Sequence, residues 1–346
     1  MRTVETLRGR HSLRLAFTVL LTIGLLAVFL FRAPLKEVRE ALASVHLGWA
    51  LSAVLLALAS YGLRGLRWGL ILRPVGRVPA FTLIGSTAAG FAASTLLPAR
   101  AGELVRALVL SARTRISVGA SVASIVTERL VDLATILAMF AVAAALSGGR
   151  VSAGALTMLL PAAGLAFAAL LAGLVLVLVL LRRRDRTVEA LARLAPRRFR
   201  DRCARLLHHL MDGLGVLRQP RQWFPLAVWS LALWSMIVCQ LVVLAWAFGI
   251  QLDLVQGVLV VAVSIVGLSV PTPAGVGGFH AATQFALINL LAVDPAAATA
   301  FALVHHAVCF FPITVVGLAY LSRVGFSLAA VRTEVEAGAA TVPAVE

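Results

Sequence analysis

The sequence predicts an all-α polytopic membrane protein, with about six full spans plus two re-entrant helical hairpins arranged as an inverted repeat. Three observations carry this. The 346-residue chain is 61% apolar and 13% charged, with mean hydropathy +0.97, whereas a soluble domain is nearer half apolar and a quarter charged. Apolar runs approaching the roughly 20 residues that span a bilayer as helix recur from end to end. The arginines gather in a few loops, as the positive-inside rule expects of cytoplasmic segments. A transmembrane barrel would show short alternating segments instead. The net charge of +16 is therefore not read as a nucleic-acid footprint, and no nucleic-acid partner is expected.

Full spans are expected at 15–31, 48–63, 118–145, 153–181, 222–249 and 297–321. The first follows Arg2, Arg8, Arg10 and Arg14 and resembles a signal peptide. Its apolar run continues to Phe31, however, and "FRAPLKE" offers no A-x-A cleavage site, so it is read as a retained helix. Two further apolar segments, 78–112 and 254–293, are interrupted at "PARAG" (98–102) and "PTPAGVGG" (271–278). Proline and glycine clusters of this kind break helices.

The arginines decide how the broken segments run. The 182–221 stretch carries twelve arginines against four acids. The 1–14, 64–77 and 98–117 stretches carry four arginines each. All four belong on the cytoplasmic side, which fails if 78–97 crosses the membrane and works if 78–112 enters, turns at the break and returns. Asp253 and Asp294 flank the second broken segment, which by the same logic enters and returns on the outside. Pro98-x-x-x-Gly102 recurs 173 residues on as Pro271-x-x-x-Gly275. The expectation is one transmembrane domain, 1–321, with pseudo-repeats at about 10–150 and 151–321, a basic cytoplasmic segment at 182–221, both termini cytoplasmic, and a disordered tail at 322–346. Inverted repeats with broken helices meeting near the midplane are a transporter plan.

Candidate site residues sit at the two breaks and on the span after the first. At the first break, Gly102 can open a helix whose free N–H groups attract phosphate. Arg100 and Arg106 add forked donors suited to phosphate oxygens, and Glu103 can orient one of them or titrate. In "SVGASVASIVTERLVDLAT", the residues Ser117, Ser121, Ser124, Glu128, Asp132 and Thr135 share one helical face. A polar stripe in a span faces the bundle interior or a wet cavity. Glu128 and Asp132 lie one turn apart, so either Arg129 relieves their repulsion or one carboxyl holds a proton. Proton coupling and a structural ion pair tying helices together are both open. The second break offers Pro271, Pro273, Gly275, Gly277 and Gly278, whose backbone can approach a ligand, and His280, which can change charge near neutral pH.

Weaker signals are Arg64, Arg67 and Trp68 at the end of the second span, read as interfacial anchors, and His305, His306 and Cys309 on one helix, too few for a metal site. Segment 182–221 reads as a basic amphipathic anchor on anionic inner-leaflet lipid. Cys203, Cys239 and Cys309 form no CxxC pair, so no disulfide framework or zinc site is expected. No HExxH, Walker A or GxSxG motif occurs. Neither a cofactor nor an enzymatic activity is expected.

"LPARAGELVRA" (97–107), "SIVTERLVDL" (124–133) and "VPTPAGVGGFHAA" (270–282) together resemble the lysylphosphatidylglycerol synthase transmembrane-domain family. This is the flippase-like membrane part of bacterial multiple peptide resistance factors, which also occurs alone and alongside glycosyltransferases. The resemblance covers about residues 10–325. It implies a multi-pass protein of the bacterial inner membrane that moves lipids between leaflets, with functional charges at Arg100, Glu103, Arg106, Glu128, Arg129 and Asp132. The chain departs from the family pattern at the second break, where Ala274 replaces a glycine and His280 stands at a usually acidic position. No soluble aminoacyl-transferase domain accompanies these residues, so lysyl transfer is not expected. The expected activity is lipid translocation, with a phospholipid or polyprenyl-linked headgroup between the breaks and the two halves rocking around it. The alternative is an accessory lipid-binding subunit of a glycosyltransferase or lipid synthase.

Overall fold

A computed structural model describes residues 35–96, 102–193, 200–269 and 275–324. The expected first span (15–31), Arg100, Pro271, Pro273, Ala274 and the C-terminal tail beyond 324 lie outside the described residues. Among the described residues twelve α-helices follow in order: α1 (Leu35–Ala43), α2 (Leu47–Leu72), α3 (Ala80–Leu96), α4 (Gly102–Arg113), α5 (Val118–Leu146) and α6 (Ala153–Arg182), then α7 (Arg184–Arg193) and α8 (Arg200–Gly213). A 3₁₀ turn (Gly215–Arg218) leads to α9 (Pro220–Ala247), α10 (Leu254–Leu268), α11 (Gly278–Leu291) and α12 (Pro295–Arg323). No strand occurs among the described residues.

Among the described residues, five helices, α2, α5, α6, α9 and α12, are long and apolar enough to cross a membrane. They correspond to the five expected spans that fall on described residues. Their starts are set by local chemistry. Ser117 accepts the Ala120 N–H and Ser152 the Ala155 N–H, capping α5 and α6. Asp294 accepts from Ala296 and Ala297, ahead of Pro295 in the first turn of α12. One boundary differs from expectation. α2 does not stop at 63 but continues to Leu72, carrying Arg64 and Arg67 inside the helix rather than at its end. The reason lies in the partners of those arginines, described below.

The two interrupted segments fold back on themselves. In the first, Gly102 lies against Ser94 and Gly90, and Gly90 against Arg106, so α3 and α4 run antiparallel. A Cβ on Gly102 would stand 2.0 Å from the Gly90 carbonyl oxygen. In the second, Gly267 abuts Gly278 and Ala282, and the hydroxyls of Ser264 and Thr283 are 2.8 Å apart, so α10 and α11 also run antiparallel. Glycine is required at the start of α11 for another reason: Gly277 has φ +87°, where a side chain is strained. Gly277→Ala is expected to destabilise the protein by about 1–3 kcal/mol, read as a lower thermal midpoint in detergent.

The remaining contacts sort the loops into two ends. At one end Gly215 meets Pro74 and Gly119 meets His209, while Arg113 Nη2 donates to the Val324 carbonyl at 2.7 Å. The described arginine-rich connections therefore converge there. At the other end the His46 N–H donates to the Ala247 carbonyl at 2.9 Å and the Ser152 N–H to that of Leu290 at 2.9 Å. Arg150 Nη1 also lies 3.4 Å from Asp253 Oδ2 at this end. The largest apolar core joins α2, α5, α9, α10, α11 and α12 near this second end, around Leu241, Leu244, Leu259, Leu287 and Phe301. The charged site sits nearer the basic end.

Candidate functional site

The site begins with the polar face of α5. Ser121, Ser124, Glu128 and Asp132 are all buried, as spacings of three and four dictate. Two bare carboxylates one turn apart would repel; here they are enclosed by arginines. Arg64 Nη1 donates to Asp132 Oδ2 at 2.8 Å and to Glu128 Oε1 at 3.2 Å. Arg67 Nη2 stands 2.7 Å from Asp132 Oδ1, and its Nη1 donates to Ser230 Oγ on α9 at 3.2 Å. Arg106, one turn into α4, approaches Glu128 with both prongs: Nη1 at 3.1 Å from Oε1 and Nη2 at 3.0 Å from Oε2. The first of these is a hydrogen bond and the second a close ion pair outside hydrogen-bond geometry.

Aromatic groups complete the cage. The Arg106 guanidinium lies 3.9 Å over the Trp68 ring, a cation–π arrangement. The Trp68 indole N–H donates to Ser124 Oγ at 2.9 Å, and that of Trp234 to Asp132 Oδ1 at 3.2 Å. Arg67 and Glu128 are completely buried. Removing such ions from water costs several kcal/mol each, recovered only by close pairing.

At the rim, Arg129 Nε lies 3.1 Å from Glu103 Oε1, and its Nη1 3.3 Å from Asp132 Oδ2. These two side chains are 43% and 48% exposed, so the cluster has a buried heart and an open mouth. Four arginines (64, 67, 106 and 129) face three carboxylates (103, 128 and 132), leaving one positive charge in excess. Arg67 Nε and Arg106 Nε are buried donors without a hydrogen-bond partner among the described residues.

The mouth opens into a cavity of about 130 Å³ lined by Gly90, Phe91, Ser94, Gly102, Glu103, Arg106, Arg129, Leu268, Gly275 and Phe310. Residues of both hairpins therefore meet across it. The first turn of α4 begins at Gly102, and the initial N–H groups of a helix have no intrahelical acceptor. Gly275 has φ +70° and brings main chain, not a side chain, to the opposite wall.

The structure brings Glu103, Arg106, Glu128, Arg129 and Asp132 together, with Gly275 across the cavity. Glu103 pairs with Arg129 rather than with Arg106 three residues along. His280 is not among the residues that line the cavity: its Nδ1 accepts the Gly277 N–H at 3.1 Å, and its ring lies 4.5 Å from that of His306. With His305, Phe279 and Phe310 these rings form a buried aromatic cluster. No group of three metal-ligating side chains occurs among the described residues.

Arg64, Arg67 and Trp68, read from sequence as interfacial anchors, are instead central, and Ser230 and Trp234 join them from α9. The signal for the arginines was present: Arg64 and Arg67 are three apart on one helix face, as are the two carboxylates at four apart, and each pair is the other's complement.

The family model described as "Lysylphosphatidylglycerol synthase TM region" matches residues 15–317. A curated relative, the glycosyltransferase AglD of Haloferax volcanii, is 30% identical over 340 residues, covering 88% of this chain and 53% of the relative. The chain thus spans about half the length of that relative. No solved structure matches.

Proposed function

The chain belongs to the family of lysylphosphatidylglycerol synthase transmembrane regions, and on that premise we propose that it is a flippase-like lipid translocase. It moves an anionic phospholipid or a lipid-linked glycan between the leaflets of a bacterial inner membrane. The observation that carries this reading is the cavity between the two hairpins, with its surplus positive charge and the N-terminus of α4 at its wall. A headgroup phosphate there meets Arg106, Arg129 and the free N–H groups of α4. Glu103 holds Arg129 in place, and Glu128 and Asp132 hold the arginines behind it.

The packing supports an inverted repeat. α2 and α9, equivalent in the two halves, run antiparallel: His46 meets Ala247 at one end and Arg67 meets Ser230 towards the other. α3 packs on α12, and the equivalent partners α10 and α5 also pack together. With α3/α4 and α10/α11 as hairpins entering from opposite sides, the arginine-rich loops face the cytoplasm and the Arg150–Asp253 end faces outward. The first hairpin then presents its charges at membrane depth, where ionisable groups mark substrate paths.

Transfer of a fluorescent anionic lipid in proteoliposomes tests the reading. Arg129→Ala is expected to lower the transfer rate at least about tenfold. It should lower the melting temperature far less than loss of Glu128 would, because its own side chain is 43% exposed and Glu128 and Asp132 keep their other arginines. Wild-type transfer by both Arg129→Ala and Glu128→Gln would sink the assignment. A second reading, an accessory membrane subunit of a glycosyltransferase, is favoured by the name and double length of the Haloferax relative. It is preferred if purified protein moves lipid only with a co-purifying transferase.

A further inference from the structure

A second cavity lies at the basic end, away from the central cluster. Its volume is about 390 Å³, and it is lined by Leu181, Arg182, Arg183, Arg184, Asp185, Arg186 and Arg218. That volume falls within the range of small-molecule sites, about 300–1,000 Å³. Three pieces of chain build it: the last turn of α6, the first turn of α7, and the final residue of the 3₁₀ turn before α9. Leu181 is buried, so the cavity sits where the apolar span gives way to headgroup level.

Most of its charge is uncompensated. Arg184 is held by Asp212, with Nη2 2.7 Å from Oδ1. Among the described residues, no ion pair is found for Arg182, Arg183, Arg186 or Arg218, and all four are exposed. An anchoring loop spreads its arginines over a surface; here five face one concavity beside a single carboxylate, Asp185. Grouping like charges this way raises the free energy of the empty site and lowers it for a bound anion. The N–H groups that open α7 add their partial charge in the same place. A monoanion would neutralise one of the four unpaired guanidiniums, whereas a diphosphate brings the forked oxygens and the charge to engage several.

We propose that this cavity is a binding site for a diphosphate group, carried by a lipid headgroup of the cytoplasmic leaflet or by a soluble molecule. Binding would clamp the α6–α7 corner to the root of α9, the helix that supplies Ser230 and Trp234 to the central cluster. The site is independent of the translocation reading.

The test uses the full chain in phosphatidylcholine nanodiscs, titrated calorimetrically with inorganic pyrophosphate and, separately, inorganic phosphate. Pyrophosphate is expected to bind at least about tenfold more tightly than phosphate, with Arg182→Gln, Arg186→Gln and Arg218→Gln combined weakening it by at least about tenfold. Arg129→Ala, in the central cluster, is expected to retain the tight binding. If the triple variant misfolds by circular dichroism, Arg218→Gln alone replaces it, with a smaller loss expected. Nanodiscs that also contain a polyprenyl diphosphate separate the sources: loss of pyrophosphate binding there assigns the site to lipid, and unchanged binding to a soluble diphosphate. Equal affinity for phosphate and pyrophosphate, or wild-type binding by the arginine variants, overturns the proposal.

Discussion

Glu128→Ala is expected to destabilise the protein by about 3–5 kcal/mol, the usual effect of leaving buried charge without its partner. Four arginines approach this one carboxylate within 3.7 Å, and the side chain has no exposed surface. Its removal leaves Arg106 paired with no other acid and shifts the cluster from one excess positive charge to two. Glu128→Gln keeps the shape and one acceptor oxygen, so it should fall between wild type and alanine. Denaturant unfolding in detergent, followed by helicity, measures both. Stability unchanged in the alanine variant would mean that the arginines find water, and that the site is far wetter than its burial indicates.

Gly102→Ala is the second large effect. The new methyl would sit 2.0 Å from the Gly90 carbonyl oxygen and 2.1 Å from Ser94 Oγ. Backbone cannot rotate aside as a side chain can, so α3 and α4 must separate, at about 3 kcal/mol, and under the proposed translocase function lipid transfer is expected to be lost with the cavity wall. Gly173→Ala on α6 is the matching control. Nothing lies within 4 Å of its Cβ position, and replacing a glycine inside a helix stabilises by about 0.5–1 kcal/mol. A thermal melt of the two variants side by side should move in opposite directions.

The five spans on described residues and the two interruptions were legible in the sequence because each is a local property: a window of apolar residues, or a proline and glycines within a few positions. The polar face of α5 was legible for the same reason, since its spacing lies within one helix. The end of α2 was not. Counting apolar residues stops at Arg64, because in isolation a charge ends a span. The helix continues to Leu72 because Glu128 and Asp132, more than sixty residues away, neutralise Arg64 and Arg67. That pairing is a tertiary fact which no window contains. The surroundings of His280 were illegible for the same reason. Its position beside the break made it a candidate site residue, and the ring it packs against, that of His306, arrives from α12.

The backbone seams decide which parts can move as bodies. Gly317 on α12 lies against Ala88 on α3 so closely that a Cβ would stand 2.2 Å from the Ala88 carbonyl oxygen, and Gly85 receives the Tyr320 ring in the same seam. Two helices meshed main chain to main chain have no side-chain layer along which to slide. The first hairpin is therefore joined to the last helix of the other half of the sequence, and α2 meets that hairpin in a second seam, where a Cβ on Gly65 would stand 2.9 Å from the Ile84 Cα. Any rearrangement that moves the two halves of the sequence apart must leave these seams intact or break them backbone from backbone.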